Sequence, residues 1–172
     1  MNANNQQEVK PGELEVLVQQ LCNDDGHKRK NARKKLVAIG EQALKPVGDL
    51  LSHPKHVCRW EAMKVIEEIG DPKSIPVFIE ALEDEKSDIR WIGAEGLIHT
   101  GKHALKPLLK AVAENYDSVF VLNGAHHVIS ELNGKKELPK DFPAKKLLSL
   151  LTNYSKEASL KVLVHEILSD LH

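Results

Sequence analysis

The sequence predicts an all-α fold of repeated helical hairpins, and two observations carry that reading. Near-copies of one segment, KRKNARKKLVAIG, RWEAMKVIEEIG and IRWIGAEGLIHTG, close at Gly40, Gly70 and Gly101, 30 and 31 residues apart, with Arg29, Arg59 and Arg90 eleven residues before each close. A fixed period of this length marks a stacked repeat, in which each unit covers the apolar face of the next. The second observation is an apolar template, i, i+3, i+4, i+7, that recurs five times and describes one stripe on a helix. With aromatic residues at only 4% of the chain, the core must be filled by Leu, Ile, Val and Ala between helices.

Taken in order, residues 1–10 are polar and expected to be a disordered tail. Pro11 suits a first helical turn, and Leu14, Leu17, Val18 and Leu21 form the first stripe. The template returns as Leu44, Val47, Gly48 and Leu51, as Ile75, Phe78, Ile79 and Leu82, as Leu105, Leu108, Leu109 and Val112, and as Ala144, Leu147, Leu148 and Leu151. A second helix follows each of these. Eight residues before its close stand Ala32, Ala62, Gly93, Ala125 and Val164, and four before stand Leu36, Ile66, Leu97, Ile129 and Leu168. Mostly small residues midway along a helix admit a close neighbour, and branched ones below fill the gap. Gly closes three copies and Asn133 the fourth, both tolerant of the left-handed conformation that ends helices. The expected units are therefore 11–40, 41–70, 71–101, 102–133 and 143–172 of a single domain 11–172, with an inserted loop at 134–142 read as a surface loop.

Composition narrows the function classes. A formal net charge of -1 argues against a protein coated by polyanion, though a local basic patch stays open. Two cysteines imply no disulfide framework and fit a reducing compartment, so a cytoplasmic location is expected. Cys58 falls on the core stripe with Ile89, Val121 and Leu160 and is expected to be an inert buried thiol, with Cys22 at a helix end. No run reaches the ~18 apolar residues that a membrane span needs.

The pattern EIGDPKSIPVFIEALEDEKSDIRWIGAEGLIHTG, with its Gly-Asp-Pro turn and the Asp88–Arg90 pair, resembles HEAT repeats, in particular the short type shared with phycobilin lyase subunits. The resemblance covers about residues 12–171 and weakens after Gly101. It implies a right-handed α-α superhelix, a HEAT-like solenoid of about five hairpins, with the second helices lining a concave face. It also implies an Asp–Arg ladder between successive repeats; Arg29, Arg59 and Arg90 fit that position, Leu122 and Lys161 replace it later, and only Asp88 supplies the matching acid. Members of this superfamily are mostly protein-binding scaffolds, and some are phycobilin lyases, deoxyhypusine hydroxylases or alkylpurine DNA glycosylases. The hydroxylases place His-Glu dyads where this chain has Trp60–Glu61 and Trp91–Ile92, which removes the ligands.

Ten positions before each close lie Lys30, Trp60, Trp91, Asn123 and Val162. Two residues of helix are about 200° of rotation, so this position points away from the core stripe. Trp60 and Trp91 are expected to form an exposed ridge, with Met63, Lys64, Glu95, Asn123 and His127 on the same face, suited to a peptide with an apolar anchor between charged ends. Ordinary packing of the two rings across a neighbouring helix is the competing reading. Lys30, Arg33 and Lys34 on the basic second helix could bind an anion, which with the tryptophans leaves a nucleic-acid binder or glycosylase-like enzyme as the alternative, and a lyase-like subunit as a further one. His126, His127, His165 and Glu166 are the candidate metal ligands if the fourth and fifth second helices lie side by side. No Ser–His–Asp arrangement, Gly-rich phosphate loop or cofactor motif is present in the sequence. A non-enzymatic scaffold for a protein or peptide partner, with no cofactor, is the reading these residues support best.

Overall fold

The computed structural model describes residues 12–153 and 157–171, so the expected tail over residues 1–10 lies outside the described residues. The helices gather into two compact units, Met1–Asp71 and Pro72–His172. In the first, α1 (Glu13–Gln20), α2 (Gly26–Ile39), α3 (Glu41–Gly48, prolonged by a 3-10 turn Asp49–Ser52) and α4 (His56–Ile69) form two hairpins. Helix α2 packs on α4, and α1 on α3. In the second, a 3-10 turn Pro72–Ser74 leads into α5 (Ile75–Ala81), followed by α6 (Ser87–Thr100), α7 (Lys102–Glu114), α8 (Val119–Gly134), α9 (Ala144–Leu151) and α10 (Glu157–Asp170). All regular structure among the described residues is helical.

The stripes are buried as the periodicity requires. Leu36, Val47, Phe78, Leu97, Leu108, Leu109, Ile129 and Leu147 are fully enclosed, each contributing about 1.5–3 kcal/mol by leaving water. The small residues midway along the second helices let neighbours close in. A Cβ on Gly93 would stand 2.8 Å from Phe78 O and 2.9 Å from Ala81 Cβ, so α5 and α6 touch backbone to side chain. Gly40, Gly70 and Gly101 all have positive φ (75°, 67° and 60°), conformations that a Cβ disfavours. Asn133 does not close its helix in this way. Helix α8 runs on to Gly134, and the left-handed residue is Lys136 (φ 59°).

The repeated arginine holds the turn before its own helix. Arg29 donates from Nη1 to Asn23 O (2.8 Å) and Asp24 O (3.0 Å), Arg59 to His53 O (3.0 Å) and Pro54 O (3.4 Å), and Arg90 to Asp84 O (2.7 Å) and Glu85 O (3.2 Å). These carbonyls sit outside any helix and need donors, which the resemblance to an Asp–Arg ladder did not anticipate. Between the first and second hairpins the acid is Glu61. It is 4% exposed and receives Arg29 Nε at 3.1 Å and the Arg33 guanidinium, whose Nε also meets Glu68 at 3.2 Å. Asp25 caps α2 by accepting from His27 N at 2.8 Å, and that bond holds its carboxyl below the usual aspartate range.

Two expectations are corrected. Cys58 is buried but not a free thiol: its Sγ is bonded to Cys22, with Cα atoms 4.8 Å apart. Cys22 ends the turn after α1 and Cys58 stands in the first turn of α4, where the neighbouring turns held by Arg29 and Arg59 bring them together. Closing a loop of 36 residues contributes about 4 kcal/mol on the chain-entropy account. The second correction concerns the fifth hairpin, which is reversed. Helix α9 packs on α8, and α10 packs on α7 and α9. Lys106 Nζ on α7 donates to Leu171 O just past α10 (2.6 Å), and Lys161 near the start of α10 lies 5.0 Å over the Tyr116 ring just past α7. Helix α10 therefore runs antiparallel to α7.

Gly93→Ala should lower the urea-unfolding free energy by about 1–3 kcal/mol, because the colliding partner is backbone and cannot swing aside. Gly48→Ala, at a helical position with nothing within 4 Å of the added Cβ, should raise it by about 0.5–1 kcal/mol. Equal effects at the two sites would contradict the close α5–α6 approach. Glu61→Ala should cost about 1–3 kcal/mol by removing the buried acceptor that Arg29 and Arg33 share, measured in the same titration.

Candidate functional site

Helices α6 and α8 lie side by side in the second unit and present an open groove of about 330 Å³. Its walls include Arg90, Trp91, Phe120, Asn123 and His127, with Leu82 and Gly124 at the floor. Gly124 lies close against Leu82: a Cβ there would stand 2.7 Å from Leu82 Cδ2 and would push that side chain aside. Trp91 is 57% exposed and Phe120 46% exposed, on adjacent helices. Neither ring is loose. The Trp91 indole stacks on the His127 imidazole with centroids 4.7 Å apart, and His127 Nε2 meets Glu95 Oε1 at 3.1 Å. The Arg90 guanidinium, while holding its turn, lies 4.1 Å over the Phe120 ring, an attraction between cation and π face.

Of the residues expected on the ridge, Trp91, Asn123 and His127 line this groove, and Glu95 is tied to it through His127. Trp60 sits in the first unit, half-buried, with the Arg33 guanidinium 5.7 Å from its ring. Lys64 is paired with Glu67. Met63 is 1% exposed and belongs to the core, because α4 also buries Glu61, Ala62, Val65, Ile66 and Glu67 and so hides a far wider arc than one stripe. Phe120 was missed by sequence reasoning. Its signal was available: it stands one residue before a core position, Val121, and four before Gly124.

Of the basic residues on α2, Lys30 and Lys34 are exposed, whereas Arg33 is occupied by Glu61 and Glu68. The expected metal ligands do not converge. His126 and His127 are on α8, while His165 and Glu166 are exposed on α10, whose packing partners are α7 and α9; the reversed hairpin breaks the register that would have paired them. Among the described residues the group with metal-ligand proximity is Cys22, His53 and Cys58, whose ligand atoms all lie within 4.8 Å of one another. Its two sulfurs are bonded to each other, and His53 Nδ1 accepts from Lys55 N at 3.0 Å.

The hairpins, the glycine closes and the arginine-held turns define a helical repeat protein. Residues 44–125 match the family described as HEAT repeats, so that stretch of the chain carries repeats of this kind. No curated protein matches it. Among the described residues no helix is long and apolar enough to cross a membrane.

Proposed function

We propose that this HEAT-repeat chain is a protein-binding scaffold with no catalysis of its own, and that its second unit takes an apolar side chain of a peptide partner in the α6–α8 groove. The observation that carries this reading is the pair of exposed aromatic rings, Trp91 and Phe120, held in place on two neighbouring helices. Exposed tryptophan fixed by a stack is a ready anchor point, since little side-chain freedom is lost on binding. HEAT repeats commonly serve as interaction scaffolds, which agrees. Glu95 and Arg90 on either side offer opposite charges to the flanks of such a peptide. Nucleic acid fits less well, because Arg29 and Arg33 are spent on acids and only lysines of α2 face outward.

The test is peptide selection from a random display library on the whole protein, followed by calorimetry with the wild type and a Trp91→Ala/Phe120→Ala variant. Selected peptides should share an apolar residue and bind at least tenfold more weakly to the variant, while its unfolding free energy changes by less than about 1 kcal/mol. Peptides that bind both proteins equally would overturn the site. Salt-sensitive binding of oligonucleotides, with no peptides selected, would overturn the function.

A further inference from the structure

The first unit carries a chemical feature that the groove does not use. Cys22 is half-buried, Cys58 is fully buried, and a ring nitrogen of His53 lies within 4.8 Å of both sulfurs. His53 is itself anchored: Nδ1 accepts from Lys55 N at 3.0 Å, and its carbonyl accepts from Arg59. With Nδ1 an acceptor, the neutral ring keeps its proton on Nε2, so neither nitrogen has a spare lone pair for a metal ion.

We propose that the Cys22–Cys58 bond is a thiol–disulfide exchange site, opened by an external dithiol that attacks Cys22, with Cys58 as the leaving sulfur and His53 as the residue that positions and quiets it. Exposure selects the attacked residue, since Cys22 is half-buried and Cys58 is fully enclosed. The departing Cys58 thiolate forms in the first turn of α4, where backbone N–H groups and the helix dipole favour negative charge. The His53 ring, with a nitrogen within 4.8 Å of both sulfurs, stands beside it. In the balanced step, one thiolate of the dithiol bonds to Cys22 Sγ as the Cys22–Cys58 bond breaks. The second thiolate then attacks the mixed disulfide and releases Cys22. Two electrons and two protons pass to the protein, and the dithiol leaves as a disulfide. The consequence is structural. The bond ties the turn held by Arg29 to the hairpin whose turn is held by Arg59, so opening it loosens the first hairpin from the second.

The full chain, purified in air, should show no alkylatable thiol under native conditions and two after dithiothreitol, counted by intact mass. Reduction should lower its melting midpoint by about 5–10 °C, to that of Cys22→Ser. His53→Asn keeps an acceptor for Lys55 N but replaces the imidazole; it should slow opening by dithiothreitol about tenfold with the oxidised midpoint unchanged. Two free thiols persisting in an oxidising glutathione buffer would overturn the exchange site, as would stoichiometric zinc released on acidification. Wild-type opening rates in His53→Asn would overturn the role of His53.

Discussion

Three guanidinium groups fix the turns from which the second helices start. A turn that enters a helix leaves carbonyls with no intrahelical donor, and a charged donor satisfies them more strongly than a neutral one. Arg29, Arg59 and Arg90 each reach back six and five residues to do so. The helical geometry then decides what comes next. With the arginine turned toward the preceding loop, the following residue lies about 100° further round. At Arg90 that residue is Trp91, 57% exposed, and at Arg59 it is Trp60, half-buried beside Arg33, so the clamp sets the direction of the indole and its neighbours set how much of it is covered. The Arg90 guanidinium also fixes Phe120, so one side chain orders both the turn and one wall of the groove.

Where the clamp is absent, the array changes. Leu122 occupies the arginine position of α8, and its turn is held by smaller groups: Ser118 Oγ accepts from Val121 N, and the Asn115 amide donates to Ala111 O. Helix α8 then overruns its expected close, the chain turns at Lys136, and α9 lies against α8 where the repeat would have put it against α7. Helix α10 fills the vacated position beside α7. Either order buries the stripes of both helices, since Leu147, Leu151, Leu160 and Val164 are all enclosed. Burial is blind to the order in which two apolar helices are laid down, so the inserted residues of the loop decide it.

That indifference explains which features were legible. The hairpins, their glycine closes and the small residue at Gly93 are local or periodic, and a period of about 30 residues fixes them. The reversed fifth hairpin is not periodic, and the expected meeting of His126 with His165 failed with it. The arginines stood out by position, but their partners are carbonyls, which carry no sequence. Met63 was misplaced because one stripe was assumed, whereas α4 packs on α2, α3 and the turn after α3 and buries side chains around much of its circumference. Two cysteines 36 residues apart say nothing of their distance in space until the turns that hold them are known.

The charge of α2 shows why a basic run is a poor guide to a ligand. Six cations lie between Lys28 and Lys35, yet the two that are partly buried point at Glu61 and Glu68 of the neighbouring helix. Bringing Glu61 to 4% exposure costs desolvation that only close, hydrogen-bonded partners offset. The arginines on that face therefore answer a requirement set by the packing of α2 on α4, and the lysines on the outer face remain as ordinary solvated charges. In α6 the corresponding positions are Trp91 and Glu95 rather than lysines, and the surface there is apolar and braced. The two helices share one frame and one turn clamp, and it is the residues on their outward faces that separate a structural helix from one with a surface to offer.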